Sequence, residues 1–410
     1  MKALTKIRIG FLALVAVALW FTSCSSEDVA SGTNQGKKSS LTLSINTGKV
    51  GSRATNWSED PAGNNKTQTE NKINRLTVGI FSSDGNTVKT IVELESGQTG
   101  GNSLTPSNDG ATAKIVTTSL ATNDQVLVAV NAPSGKFTGC QSKSDFMAKT
   151  ETAAEALAKS TDAQVADNIP MFGSASLSAG TDGIFTASVS VIHMIAKVSL
   201  ASLSVDFKAG SAYADAEFTP KAVFLINVPK SLQFDNNNAW LSAGYEHGWG
   251  KFATDYTYDA TTPNTEAATK FAGSTFAQYL TTSQLEDKTL QGNAAYDKKV
   301  YFYTMPNGQN GDKATKLVIA GEFKAPASGV DKVVYYPLFL NATNNTGTGY
   351  DPALSGSEAK KVYPNKNYKC TVVIRNIGAD SPDINLDPKA ASISIKVEDF
   401  VPANQATEFN

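Results

Sequence analysis

Short apolar runs that end at turn-forming residues recur along the chain, and this spacing limits what it can fold into. The run Gln125–Val130 (QVLVAV) ends at Asn131-Ala132-Pro133, and Ala222–Val228 (AVFLINV) stops at Pro229. Short runs rich in β-branched and aromatic residues, bounded by Gly, Asn and Pro, are typical of strands. Many such runs, together with abundant Ser, Thr, Asn and Gly, predict an all-β fold with long polar loops.

The same pattern places most of the other elements. An Asp84-Gly85 turn between two runs predicts a hairpin. An alanine-rich stretch, Ser144–Lys159, has apolar residues on one helical face and predicts one helix. Thr275–Leu285 predicts a second, shorter helix, and residues 235–265 a long loop. Further strands are predicted at Ile73–Phe81, Thr87–Leu94, Ala113–Leu120, Met171–Leu177, Ile184–Leu203, Val300–Thr304, Lys316–Phe323, Lys332–Leu340, Tyr368–Ile374 and Ala391–Phe400.

The N-terminus has the pattern of a lipoprotein export signal. Basic residues at its start are followed by the apolar run 9–21, which is too short and wrongly flanked for a membrane-spanning helix. Phe21-Thr22-Ser23-Cys24 then resembles a bacterial lipobox, in which the cysteine thiol takes the lipid. We expect residues 1–24 to direct export and Cys24 to be lipidated.

A short strand and a basic site follow this signal. Leu41, Leu43 and Ile45 alternate with polar residues and point one way from a predicted strand. Arg53-Ala54 follows and fits a trypsin-like, arginine-specific protease. The order of anchor, strand and cutting site predicts a precursor whose first strand is removed. An ordinary first strand followed by a surface arginine remains the alternative.

Charge and cysteine content restrict the function classes. The 410 residues carry a net charge of −2, and residues 1–53 hold seven of the 36 basic and two of the 38 acidic residues. The rest of the chain therefore has a net charge of −7, which argues against nucleic acid as a partner. Besides Cys24, only Cys140 and Cys370 occur. We expect two free, buried thiols, with a disulfide as the alternative.

Taken together, these segments resemble the fimbrillin (type V pilin) family of Bacteroidales, the fimbrial subunits. The resemblance extends over nearly the whole chain and depends on the order and spacing of its parts. It implies two tandem transthyretin-like, Greek-key β-sandwich domains, export as a lipoprotein, trimming after an arginine, and polymerisation into adhesive filaments by strand exchange. The residues that carry it are Phe21–Cys24, Leu41–Ile45, Arg53-Ala54, Asn74–Phe81, Val126–Pro133, Val191–Leu200, Val223–Pro229, Tyr368–Ile374 and Ala391–Phe400.

The resemblance also implies a domain organisation, partners and a location. The partners are other pilin subunits in a head-to-tail homopolymer, the protease, the outer membrane through the lipid, and a host or bacterial surface ligand. The protein would pass from outer-membrane lipoprotein precursor to cell-surface fimbria. The expected divisions are a signal peptide at 1–24, a propeptide with the removable strand at 25–53, an N-terminal sandwich at 54–197, and a C-terminal sandwich at 198–410 that ends in a donor strand at 391–400.

The last predicted strand matches the first in pattern. Ile393, Ile395 and Val397 alternate as the aliphatic residues of the first strand do, and Phe400 follows them. Both strands could therefore fill the same groove of a sandwich, and a neighbour's last strand could replace the first strand once it has been cut away. The alternative is a last strand that pairs within its own domain.

We find no sequence motif for catalysis, a metal or a cofactor. His193 lies in an alternating apolar run and is interpreted as a strand residue, so an enzyme is the least favoured class. His247 stands in an aromatic loop, where it could join a glycan-contacting patch with Trp240 and Trp249. The main competing function is therefore a monomeric, lipid-anchored glycan-binding surface protein that keeps its first strand.

Overall fold

The fold is described from a computed structural model of the chain. The structure describes residues 38–47, 70–107, 110–181, 183–235, 244–282, 285–297, 300–326, 331–341, 359–386 and 391–399. Cys24, Arg53, Ala54, Trp240 and Phe400 lie outside these ranges.

Strands dominate the described residues, and the helices are short. The helices are α1 (Lys143–Met147), α2 (Ala153–Leu157) and α3 (Ala267–Lys270), with a 3-10 turn at Gln278–Leu280. The strands are β1 (Lys38–Asn46), β2 (Arg75–Phe81), β3 (Val88–Glu95), β4 (Ser103–Ser107), β5 (Gly110–Thr118), β6 (Gln125–Val130), β7 (Thr150–Thr152), β8 (Met171–Ser176), β9 (Ser178–Ala179), β10 (Ile184–Ser190), β11 (Ile192–His193), β12 (Ala196–Val205), β13 (Glu217–Ile226), β14 (Val228–Pro229), β15 (Ser231–Gln233), β16 (Tyr245–His247), β17 (Gly250–Phe252), β18 (Tyr258–Pro263), β19 (Ser274–Phe276), β20 (Thr281–Thr282), β21 (Leu290–Gln291), β22 (Ala295–Tyr296), β23 (Val300–Thr304), β24 (Lys316–Lys324), β25 (Lys332–Phe339), β26 (Lys366–Ile374) and β27 (Ala391–Asp399).

Most of the first eleven strands form two sheets that share a core. Sheet I has the order β4-β5-β1-β10-β9, and sheet II has the order β11-β8-β6-β2-β3. Leu43 and Ile115 of sheet I pack in one buried cluster with Val78 and Val128 of sheet II. Two sheets that bury a common apolar layer form a β-sandwich.

Most of the remaining long strands form a second pair of sheets. Sheet III has the order β22-β12-β26-β27, with β23 also paired to β12; sheet IV has the order β20-β13-β24-β25, with β21 also paired to β13. Val198 and Cys370 of sheet III share a buried cluster with Leu225 and Ile319 of sheet IV. The prediction of an all-β fold built from two sandwiches is confirmed.

The outer faces of sheets II and IV are covered as well. Leu127 and Ala129 of β6 face away from sheet I, and they belong to the same cluster as Phe146 of α1 and Leu157 of α2. On sheet IV, Phe224 packs with aromatic residues of the segment 245–271. Strands buried on both faces explain the continuous apolar runs in β6 and β13.

Where one helix is predicted, over Ser144–Lys159, the structure has two short helices with β7 between them. Both helices start at a capping box: Ser142 accepts a hydrogen bond from the Asp145 amide, and Thr152 from the Glu155 amide. Strand β7 pairs with β15 of the C-terminal half. The single-helix prediction is wrong because the second cap and this tertiary pairing override the alanine-rich periodicity.

The predicted loop 235–265 and the predicted helix Thr275–Leu285 also differ from the structure. Short strands β16, β17 and β18 occur within the loop, and β19 pairs in parallel with β16. The helix is replaced by the end of β19, the 3-10 turn and β20. These strands have two to six residues, so too few side chains alternate to be recognised from the sequence.

Cys140 and Cys370 are buried and neither forms a disulfide, as predicted. Among the described residues, no helix has the length and apolar character needed to cross a membrane.

Candidate functional site

The first strand lies in the middle of sheet I. β1 pairs antiparallel with β5 from Lys38↔Thr118 to Asn46↔Gly110, and parallel with β10 from Ser40↔Ile184 to Asn46↔Ser190. We call the space between β5 and β10 the β1 slot. Removal of β1 would therefore expose unpaired backbone groups on both sides of the slot rather than shorten the sheet at an edge.

The predicted alternation of the first strand is confirmed. Leu41 and Leu43 are 0% exposed and Ile45 is 1% exposed, whereas Thr42 and Ser44 lie on the opposite face of the strand. The three aliphatic side chains enter the core that sheets I and II share. Burial of an aliphatic side chain contributes about 1.5–3 kcal/mol. The three residues predicted to form a removable strand thus belong to the apolar core of this sandwich.

The C-terminal end of the slot is tightly fitted around the backbone of β1. Gly110 has a φ of +148°, and a Cβ at this position would overlap the carbonyl oxygen of Ile45. Asn46 Nδ2 donates to Ser188 Oγ at 3.2 Å, and the Asn46 carbonyl accepts from the Val191 amide at 2.9 Å. These contacts fix the end of β1 against both walls. No sequence signal identified Gly110, because its role depends on a close approach of β1.

The last strand has a different position in its sheet. β27 pairs antiparallel with β26, from Lys366↔Asp399 to Ile374↔Ala391, and it ends the strand order of sheet III. Ala391 and Ile395 are buried there, whereas the side chains of Ile393 and Val397 are outside the described set. In this conformation the predicted donor strand is paired within its own half, so its transfer to a neighbour stays a prediction.

His247 and Trp249, two of the three residues considered for a glycan-contacting patch, are not at the surface. His247 is 3% exposed and Trp249 is 1% exposed, and both pack against Phe271. Burial lowers the pKa of His247 to about 4, so the ring is neutral at pH 7. The suggestion that His247 and Trp249 form a surface patch is therefore wrong, because the segment that carries them packs against sheet IV.

His193 lies in strand β11, as predicted, and its side chain is buried. Its Nε2 lies 3.0 Å from the carbonyl oxygen of Glu70, and burial lowers its pKa. Glu70 is itself buried and accepts hydrogen bonds from Lys197 and Tyr303. Nothing in the sequence singles out Glu70, because it follows a polar stretch and its partners are more than 100 positions away.

Comparisons with known proteins agree with this architecture. The model of the family described as major fimbrial subunit protein (FimA) matches residues 40–189, which include β1 from Ser40, all of β5, and β10 as far as Val189. A fimbrilin structure from Porphyromonas gingivalis is 17% identical, with a TM-score of 0.59, and the match covers 90% of this chain and 99% of that one. A structure described as a candidate cell adhesion protein from Parabacteroides distasonis is 16% identical, with a TM-score of 0.62 and coverage of 89% and 99%. No curated protein matches the chain.

The fold and the slot define an all-β, two-sandwich subunit whose first strand is a central part of its own sheet. The family match identifies this class further. Residues 40–189 match the family of major fimbrial subunit proteins, and the fimbrilin structure shares the fold of nearly the whole chain.

Proposed function

We propose that this protein is the polymerising structural subunit of an adhesive type V pilus. It is exported as a lipoprotein through Cys24, cut between Arg53 and Ala54, and assembled by donor-strand exchange. In this proposal residues 54–197 and 198–410 form its two domains. The observation that carries the proposal is the central position of β1, whose sequence ends only a few residues before the cutting site.

Cutting at Arg53 removes the covalent link between β1 and the rest of the subunit, so that only non-covalent contacts hold β1 in the slot. While the chain is intact, β1 is held at high effective concentration and blocks the slot. Once cut, it can dissociate, which exposes three aliphatic positions and two rows of backbone groups. The side chains alone contribute about 5–9 kcal/mol, comparable to the whole stability of a domain at about 5–15 kcal/mol. An emptied slot therefore binds any strand of matching pattern.

The C-terminal strand has that pattern. β27 and β1 each have nine residues. If Ile393, Ile395 and Val397 take the positions of Leu41, Leu43 and Ile45, the outward positions receive Ser394 and Lys396 in place of Thr42 and Ser44. Both outward replacements are polar and suit the solvent-facing side. Phe400 then falls just beyond the end of the slot.

Exchange also improves the pairing of the donor strand. Among the strands that the structure describes, β27 pairs with β26 alone, whereas in the slot it would lie between β5 and β10. Each ladder hydrogen bond contributes about 0.5–1.5 kcal/mol. Transfer from a sheet edge to a sheet centre is therefore favourable once the slot is free. The contact is head-to-tail, so repetition produces a filament at the cell surface.

Replacement of the cutting site tests this proposal. In an Arg53→Ala variant we expect an exported protein that keeps β1 and forms no fibres, as seen by electron microscopy and N-terminal sequencing. Lys49→Ala changes a nearby basic residue outside an arginine-specific site and should be processed to Ala54 and polymerise normally. Ordinary fibres from Arg53→Ala would count decisively against the scheme. A blocked N-terminus at Cys24 in material with a normal Arg53 would favour an anchored, unprocessed surface protein instead.

A further inference from the structure

One continuous stretch of chain joins a wall of the β1 slot to β12, which lies two places from β27 in sheet III. β10 forms a wall of the slot, and after the connector 191–195 the chain enters β12. β12 pairs in parallel with β26, from Lys197↔Asn367 to Val205↔Ile374, and β26 pairs with β27. Any change of angle between the slot and the last strand must therefore bend this connector.

Glu70 forms hydrogen bonds to His193 within this connector and to Lys197 just after it. Its carbonyl oxygen accepts from His193 Nε2 at 3.0 Å, at the end of β11. Its side chain Oε1 accepts from Lys197 Nζ at 2.9 Å, at the start of β12. Glu70 itself belongs to the segment that leads into β2. One residue of the N-terminal half thus holds the end of β11 and the start of β12 together.

A second set of contacts fixes the neighbouring strand β23. Tyr303 donates its hydroxyl proton to Glu70 Oε1 at 2.5 Å. The Tyr303 backbone is bonded in both directions by Gln164, whose Nε2 donates at 2.8 Å and whose Oε1 accepts at 2.7 Å. Lys197 Nζ also lies 4.6 Å from the ring centre of Tyr301. Hydrogen bonds and a cation–π contact therefore surround the ion pair.

The cluster is enclosed. The side chains of Glu70 and Lys197 are each 3% exposed, and Tyr303 is 1% exposed. An ion pair taken out of water is favourable only when its geometry is well satisfied, and breaking it by removal of one partner leaves an uncompensated charge. Such a cluster tolerates one arrangement of the two halves and penalises others. The cluster therefore restricts the orientation of the two halves more than it raises the free energy of unfolding.

We propose that Glu70, held by His193, Lys197 and Tyr303, is the positioning residue that fixes the angle between the β1 slot and the last strand. Its consequence for filaments depends on the proposed function. There, tension enters a subunit at the slot and leaves through the last strand, so it crosses the connector 191–195. We call this cluster of Glu70, His193, Lys197 and Tyr303 the clamp. Because the clamp fixes the connector, it makes each subunit resist bending.

Hydrogen exchange on the full, uncut chain tests the clamp without any filament. The double variant Glu70→Gln/Lys197→Met removes both buried charges, which avoids the unfolding that a single unpaired charge can cause. We expect amide exchange in residues 192–198 to become about tenfold faster, with β2 and β24 unchanged. The control Arg75→Gln breaks the partly exposed pair with Glu95, whose Nε–Oε1 distance is 2.7 Å, and should leave 192–198 protected. Unchanged exchange at 192–198, or an equal increase throughout the chain, would overturn the proposal.

Fibre bending provides the second measurement. After treatment with an arginine-specific protease, fibres of the double variant should have a persistence length at least about twofold shorter than fibres of the normal protein or of Arg75→Gln. Equal persistence lengths would overturn the role in stiffness. If the normal protein forms no fibres, the proposed function fails, whereas the exchange measurement still decides whether Glu70 holds the connector.

Discussion

Gly110 and Ile45 approach each other so closely that a side chain on the first would overlap the backbone carbonyl of the second. The two residues close the end of the β1 slot, where β5 and β1 form their last pairs. Whatever strand occupies the slot must pass this point. The contact therefore constrains the backbone of β1 and, under the proposed donor-strand exchange, that of an incoming strand.

Gly110→Ala should accordingly disturb the seating of β1. The added methyl group meets the β1 backbone, and the residue also has a positive φ, so we expect a destabilisation of roughly 2–4 kcal/mol in urea unfolding. Gly100→Ala is the matched control, because Gly100 has a φ of +114° and a Cβ added there would have no atom within 4 Å. A loss no larger than that of the control would mean that the close approach does not matter.

The Leu43→Ala substitution should lower the stability of the precursor but not that of the cut subunit. Leu43 is fully buried, so truncation should cost about 2–5 kcal/mol while β1 occupies the slot. Once the fragment that carries β1 has left, Leu43 is absent and the variant should unfold in urea with the normal midpoint. Thr42→Ala, on the exposed side of the strand, should change neither form. Equal destabilisation before and after cutting at Arg53 would show that β1 stays bound in the mature protein.

A peptide of residues 391–399 should act as a donor in trans. We expect it to bind the cut subunit and release the fragment that carries β1, as followed by native mass spectrometry, and to leave the uncut precursor unchanged. The same peptide with Ile395→Asp places a charge in the apolar centre of the slot and should bind at least about 100-fold more weakly. Binding of both peptides with equal affinity would contradict the assignment of Ile395.

The positions of strands could be predicted from the sequence better than their partners. β6 and β23 lie at the predicted bounds because their apolar runs are short and clearly delimited. The central place of β1 between β5 and β10 could not be derived, because its neighbours are about 70 and 140 positions away. The alternation of apolar and polar residues predicts which face of a strand is buried, whereas the neighbours of that strand in the sheet depend on tertiary packing.

Each half of the protein has a buried asparagine with the same role at the end of a strand, and this role is seen only in the structure. Asn131 and Asn227 each follow a buried strand, precede a proline by two residues and have a φ near +60°. Each is buried and donates its side-chain amide to two backbone carbonyls of other segments. The sequences VNAP and INVP indicate strand ends, but nothing in them reveals that the asparagine side chain holds a second loop in place.

Asn131→Ala should therefore cost far more than an ordinary turn substitution. Its Oδ1 accepts from the Asn74 amide at 2.9 Å, and its Nδ2 donates to the carbonyls of Lys72 and Ile169. Loss of these partners in a buried site should lower the free energy of unfolding by about 3 kcal/mol or more. Asn123→Ala is the control, since Asn123 is exposed and has a similar φ of 70°. Similar losses in thermal unfolding would reduce the role of Asn131 to backbone conformation alone.

Glu151 should make stability fall as pH rises. It is 1% exposed in β7, and its Oε2 has no hydrogen-bond partner among the described residues. Burial, with Glu155 adding to it and Lys136 opposing it, raises the pKa of Glu151 from 4.5 to about 8. Between those values the native state holds a proton that the unfolded state has lost, so the free energy of unfolding decreases with pH across this window.

Glu151→Gln should remove that dependence, because the amide is neutral at every pH and close to the protonated carboxyl in size. We expect the two proteins to unfold at similar urea concentrations at a pH of about 4.5 and the variant to be more stable at a pH of about 9, by more than the roughly 1.4 kcal/mol that one pKa unit represents. Glu155→Gln alters a partly exposed capping residue beside it and should not flatten the profile. Parallel profiles for Glu151→Gln and the normal protein across this window would mean that Glu151 is ionised in the folded state and that the β7–β15 contact accommodates its charge.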